Sequence, residues 1–301
     1  MTATAGAPAP EGSVPSGPPV GVWAGLLDDA ALFPPGDAPM RTAVPAHRGH
    51  RAGPHSPMVG AFLVPTGRLA ELAGVVDESS PGGLDVGVIA PAETLREAVA
   101  AVLGHPRLTL AAVEVSPSAV PADRVVATVR AAVPDGVPVA VEVPRDDRRA
   151  AVLDALVGTG MRAKLRTGGT AAPAFPPEAE LAAALAGCRD RGVAFKATAG
   201  LHRAVRHRDD GTGFVHHGYL NLLLAADTAA RGGHAQDIVE VLAERDVAAV
   251  TAGVVAMEPG SARWTAARAL FASFGTCSIH EPVADLEALG LLGTPDPETT
   301  T

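Results

Sequence analysis

A closed (β/α)8 barrel of the TIM type is the fold this chain predicts, and three observations lead there. Short apolar runs alternate with helix-like stretches at a spacing of roughly 25–30 residues, the rhythm that builds parallel sheets by right-handed crossovers. The runs are almost continuously Val, Ala, Leu and Ile, as strands covered on both faces are. Seven such units occur before residue 201, which favours closure over an open sheet, and no GxGxxG follows the first run to favour a dinucleotide fold.

The first strand is expected at VGVWAGLL (20–27), running into Asp28 and Asp29. Two acids there read equally as site residues or as caps of the next turn. Residues 41–56 read as an irregular surface loop carrying His47, His50 and His55 without metal geometry. Strands then follow at 58–64, 84–90, 108–115 and 137–143, each with a helix behind it, at 66–76, 92–103, 121–132 and 145–158. The sixth strand is MRAKL (161–165), followed by a helix over 178–190, and the seventh is VAFKA (193–197). After His202 the rhythm breaks. Residues 201–270 read as an enlarged seventh unit: an exposed loop, then helices over 218–230, 235–244, 247–256 and 261–270. SFGTCSI (273–279) is the eighth strand and EPVADLEALGLL the closing helix. The barrel domain is thus expected over 20–290, with flexible Ala/Pro/Gly/Ser-rich tails at 1–19 and 291–301.

Composition narrows the function. Aromatics are only 3% against 47% hydrophobic residues, so the core must be aliphatic, and a net charge of −9 with no basic cluster argues against nucleic acid. Cys188 and Cys277 lie in no CxxC motif, which fits a reducing cytoplasm; both read as buried small hydrophobes. The N-terminal stretch lacks the basic and apolar regions of a secretory signal, and no apolar run is long enough to span a membrane.

The chain has 24 Lys plus Arg but only two lysines, Lys164 and Lys196, both within strand-like runs where a buried charge is expensive. Arginine stays protonated at any accessible pH, whereas a buried lysine can lose its proton and become a nucleophile. In a barrel the site forms at the C-terminal ends of the strands. Those ends would deliver Asp28, Glu114, Glu142, Lys164 and Lys196. Neighbouring strands lie about 4.8 Å apart, so two inward ammoniums would repel, and each would lower the other's pKa from about 10.4. Glycine-bearing turns after strands six, seven and eight would present backbone N–H groups to an anion.

At these residues the chain resembles the deoxyribose-phosphate aldolase branch of the class I aldolases. The family's first-strand DHTLL motif followed by Pro is matched by LDDAALFPP (27–35). Its Lys-Thr-Ser-Thr-Gly motif is matched by KLRTGG, Lys164 to Gly169, and its Lys-x-Ser-Gly-Gly-Ile-Arg motif by KATAGLH, Lys196 to His202. Its Gly-Thr-Ser-Ser phosphate turn is matched by Gly275-Thr276-Cys277-Ser278. The resemblance implies that Lys164 forms the Schiff base and Lys196 tunes it. The family's fourth-strand aspartate falls near Ala112, and Glu114, two residues on, takes its place; Ala199, His202 and Arg166 also depart from the pattern, which implies a different substrate.

The function expected is a class I aldolase-like lyase acting on a small carbonyl compound, phosphorylated or not. Lys164, Lys196, Asp28 and Glu114 are its catalytic set. Arg166, Thr167, Gly168, Thr198, Gly200, His202, Gly275, Thr276 and Ser278 are its substrate-binding set. No cofactor and no metal is called for, neither nucleic acid nor membrane is a partner, and a homo-oligomer is left open. Two other readings stand beside it: a barrel that binds an anion without chemistry, and a metal-dependent hydrolase or isomerase using His202, His207, His216 and His217.

Overall fold

The computed structural model describes residues 18, 20–78, 82–116 and 120–293. Eight parallel strands close into a barrel in the order β1-β10-β7-β6-β5-β4-β3-β2. They are β1 (Leu27–Asp29), β2 (Val59–Pro65), β3 (Leu84–Ala90), β4 (Leu108–Val115), β5 (Val139–Glu142), β6 (Arg162–Arg166), β7 (Phe195–Thr198) and, after a two-residue hairpin of β8 (His207–Arg208) and β9 (Val215–His216), β10 (Phe271–Thr276). The last strand closes the ring by pairing Phe274 with Leu27 of the first. Helices alternate with these strands: α1 (Met40–Ala52), α2 (Leu69–Glu78), α3 (Leu95–Leu103), α4 (Ala122–Ala132), α5 (Arg149–Leu156) and α6 (Glu178–Asp190). The enlarged seventh unit adds α7 (Tyr219–Ala230), α8 (Ala235–Ala243), α9 (Val247–Val255) and α10 (Ala262–Leu270), and α11 (His280–Ala288) closes the fold. Among the described residues no helix is long and apolar enough to cross a membrane.

Strand parity decides what the barrel encloses, because successive side chains point to opposite faces. On β6, Ala163 and Leu165 are buried against the helices, which leaves Lys164 facing inward. On β7, Phe195 and Ala197 do the same and turn Lys196 inward. The apolar neighbours that make these runs look like strands are therefore also what aims both amines at the interior.

The structure corrects the first strand and the first loop. Residues 20–23 form a 3-10 turn, Gly25 takes a left-handed φ of 62°, and the strand proper is only Leu27–Asp29. Trp23 is wholly buried, packed edge-on against Trp264 and donating its indole N–H to the Leu291 carbonyl at 3.0 Å. That contact also places Leu291 and Leu292 in the packed body, past the tail boundary expected at 291; the rest of both tails, apart from Pro18 and Gly293, lies outside the described residues. Residues 40–52 are a helix, not a loop. Pro45 and Gly49 disguise it, yet Met40, Ala43, Val44 and His47 bury one helical face at the i, i+3, i+4, i+7 spacing.

In the enlarged unit, α7 buries nearly its whole circumference, because α8 and α10 pack outside it. Its one amide, Asn221, is satisfied on every side. Oδ1 accepts from Arg206 N, and Nδ2 donates to the Val241 and Glu244 carbonyls, all at 2.9 Å.

Candidate active site

Inside the barrel lie two ammoniums and three carboxylates, all nine-tenths or more buried. Lys196 Nζ donates to Asp28 Oδ2 at 2.6 Å and to Glu114 Oε1. Lys164 Nζ lies 2.7 Å from Glu114 Oε2 and 3.0 Å from Glu142 Oε2. Glu114 thus stands between the two amines with one oxygen on each. Ser273 adds a hydroxyl that donates to Asp28 Oδ2 at 2.8 Å. Register brings most of the cluster to one level, since Glu142 pairs with Lys164, Lys164 with Lys196, and Lys196 with Ser273 across adjoining strands.

For Lys196 this arrangement reverses the expectation of a lowered pKa. The two ammoniums do not meet bare. Burial pushes the Lys196 amine down, but the Asp28 and Glu114 carboxylates outweigh it and hold its pKa above the usual lysine value. Burial likewise pushes Glu114 up, and the two ammoniums outweigh it, holding the acid at about 2 against an ordinary 4.5. The signs give a pH window. A carboxylate with a depressed folded pKa stabilises the fold above its unfolded pKa and loses that contribution as pH falls through the folded value. Chemical denaturation followed between pH 5 and pH 2 is expected to show a loss of about 3 kcal/mol attributable to this group, and Glu114→Gln is expected to flatten that part of the curve. Lys196 acts at the other end: its contribution is complete below the unfolded lysine pKa and is lost only as pH rises past the elevated folded value.

Asp28 is placed by what is missing opposite it. A Cβ on Gly60 would lie 2.3 Å from Asp28 Oδ1 and 3.3 Å from the Leu27 carbonyl. Gly60→Ala is therefore expected to push Asp28 off Lys196 and cost about 2 kcal/mol in urea melts, where an exposed Gly→Ala would be neutral or stabilising.

Above the cluster, at the C-terminal ends of the strands, opens a cavity of about 590 Å3. Lys164 and Glu142 lie at its base; Phe33, Pro34, Leu63 and Ile89 form apolar walls, and Arg166, Thr170 and His202 supply polar groups. Of the expected binding residues, Arg166, Thr198, Gly200, His202, Gly275 and Thr276 line it. Thr167, Gly168 and Ser278 do not. Thr167 is fully buried, its hydroxyl donating to the Ala199 carbonyl at 2.6 Å. Gly168 faces Gly200 across a close backbone approach: a Cβ there would come within 2.8 Å of Gly200 Cα, and Gly200 itself takes a φ of 74°. The two glycine turns after β6 and β7 pack on one another, and their glycines are explained by that contact. Ser278 instead accepts the Glu281 N–H at the start of α11. Asp28 and Glu114 also stay out of this cavity, beneath Lys164, as partners of Lys196.

Cys277 is only half-buried and lines the cavity, contrary to its reading as a core residue; burial still pushes its thiol up to about 11. His216 lies between His207 and His202, with ring centroids 5.3 and 6.3 Å apart, but each of the four histidines has a separate partner. His202 Nδ1 lies 3.1 Å from Glu281, His207 is held at the Val205 carbonyl, and His216 packs at a tilt on Phe175 with ring centroids 4.5 Å apart. His217 donates to the Pro176 carbonyl at 2.8 Å, and burial lowers its pKa to about 4. Among the described residues no group of three or more His, Cys, Asp or Glu side chains is placed to hold a metal ion.

Two features went unassigned in the sequence. Glu142 is the one of the five strand-end candidates outside the expected catalytic set, and counting by twos from it to Ala140 marks it inward. Asp29 and His47 form a second buried pair at 2.9 Å, outside the barrel between β1 and α1; the loop-like composition of residues 41–56 conceals it in the sequence. No protein-family model matches this chain, and no curated protein matches it.

Proposed function

We propose that the protein is a Schiff-base-forming lyase of the class I aldolase type, with Lys164 as the nucleophile and a small carbonyl compound as substrate. One observation carries this reading: Lys164 is the amine that reaches the cavity, and Glu142, 3.0 Å away, is a carboxylate that lines the same cavity. A proton donor, a proton acceptor and a space for substrate therefore coincide.

In the resting cluster Lys164 is an ammonium between two carboxylates. Glu114, held at about 2, is a poor proton acceptor, which leaves Glu142 to take the proton. The freed amine attacks the carbonyl carbon, forming the C–N bond while the C=O π pair moves to oxygen. Glu142 returns its proton to that oxygen, takes a second from nitrogen, and delivers it to the hydroxyl, which departs as water. Two of the three ammonium protons leave with the water, and the iminium keeps the positive charge. The buried site thus begins and ends with the same net charge, which spares it the cost of an uncompensated ion.

Below, Lys196 and Asp28 fix Glu114 as an anion beneath the reacting nitrogen. The role read for Lys196 changes from repelling its neighbour to anchoring the carboxylate that positions it. On the rim, the Arg166 guanidinium is half-exposed and suited to an anionic substituent on the substrate, phosphate included.

An iminium acidifies the adjacent C–H bonds, which gives a test that does not require the natural substrate. Incubated with small ketones and aldehydes in D2O, the protein is expected to accelerate deuterium uptake at the α-carbon, followed by proton NMR. Lack of acceleration across compounds that fit the cavity would count against the reading.

A further inference from the structure

The two amines open to opposite ends of the barrel. Lys164 lines the upper cavity and Lys196 does not; Lys196 lines a second cavity, of about 240 Å3, that Lys164 does not reach. Glu114 is the partition, since its two oxygens touch one amine each. The lower cavity is entered from the N-terminal ends of the strands, where Arg51, Asp85 and Arg162 stand at its mouth. Its shaft is walled by Gly60, Ala61, Ala112 and Ala140, at a level where barrels usually carry bulky branched side chains. Its inner end is Asp28, Glu114, Lys196 and Ser273.

Small side chains and a charged lining have one physical consequence together. An apolar void of this size would stay dry, but one ending on buried ions offers each water several partners, and its volume holds about eight at liquid density. The ion cluster then stands between the upper and lower cavities.

The geometry points to the lower cavity as a water-filled second entrance, through which the Asp28–Lys196–Glu114 cluster exchanges protons with solvent on the face away from the substrate cavity. Each exchange is neutral: a water takes one proton from Lys196 Nζ as a second water supplies another. The cluster's protons thereby equilibrate with bulk water even while substrate fills the other end. This inference rests on the cavities alone and holds whether or not Lys164 forms a Schiff base.

The scarcity of lysine makes the test clean, because labelling the full-length chain with 15N-lysine gives two side-chain signals. Exchange of each ammonium with water is measured by NMR in the native protein and in Ala112→Leu, whose side chain would fill the shaft. The expected result is Lys196 exchange slowed by about tenfold or more, with Lys164 exchange within about twofold of the native rate. A second arm avoids any folding defect. Ala140→Cys in a Cys277→Ser background is folded first and then treated with methyl methanethiosulfonate. The introduced thiol is expected to react in the native state and, once capped, to slow Lys196 exchange in the same way. Lys196 exchange no faster than global unfolding in the native protein, no reaction of the thiol, or exchange unchanged in both plugged forms would overturn the inference.

Discussion

Glu114→Ala is expected to be the most destabilising single substitution in the barrel interior, costing about 3–5 kcal/mol and lowering the melting temperature by roughly 10 °C. The reason is what it leaves behind. Glu114 is 1% exposed and serves two ammoniums at once. Removing it leaves Lys164 with Glu142 and Lys196 with Asp28, and places the two positive charges side by side with a void between them. Breaking a buried pair by deleting one partner is costly because the remaining charge cannot recover its hydration. Glu114→Gln keeps the volume and one acceptor and is expected to cost less. Asp146→Ala, which removes an exposed ion pair with Arg148, is expected to leave the melting curve unchanged. Differential scanning calorimetry of the three variants checks the order.

Lys164→Met is expected to have the largest effect on chemistry and a modest effect on stability. Among the described residues it removes the only amine that reaches the upper cavity, so α-deuteration of a carbonyl compound should fall by about 10^3-fold or more, to the level of protein lacking the nucleophile. The fold should tolerate it. Glu114 keeps Lys196, and Glu142 keeps cavity access and the Arg166 guanidinium 3.9 Å away. Lys196→Met reverses the pattern: it strands Asp28 without an ammonium and leaves Glu114 with Lys164 alone, so destabilisation should precede any specific loss of rate. Glu142→Gln should lower the rate by about 10^2- to 10^4-fold with little change in melting temperature, as the loss of a proton shuttle does. The contrast between the two lysines separates a reactive amine from a structural one.

Much of the barrel was legible because its signal is local. Apolar runs of strand length at regular spacing locate β3, β4 and α6 to the residue, and the inward course of both lysines follows from their apolar neighbours. What escaped depended on tertiary contacts. Trp23 packs on Trp264 and Leu291 from opposite ends of the chain, so residues 20–23 could look like a strand while forming a turn. Pro45 and Gly49 hid α1 although its buried face has ordinary helical spacing. The hairpin of β8 and β9 is only two residues per strand, too short for any periodicity.

At the site, residue types pointed to the members of the ion cluster but not to their partners. Spacing alone brings two lysines to neighbouring strands, and from that repulsion is the natural inference. Only the side-chain contacts show Glu114 inserted between them, which turns repulsion into a shared ion pair. Thr167 and Gly168 were misplaced for a related reason: they follow Lys164 in sequence, but the chain turns there, and both are spent on holding two turns together.

Of the two buried amines, Lys164 is expected to react with a carbonyl compound and Lys196 is not. Borohydride reduction in the presence of a small ketone or aldehyde, followed by peptide mass mapping, tests it directly. The expected result is a single adduct on the peptide bearing Lys164, with Lys196 unmodified. An adduct on Lys196, or none on either lysine with any carbonyl compound small enough for the cavity, would contradict it.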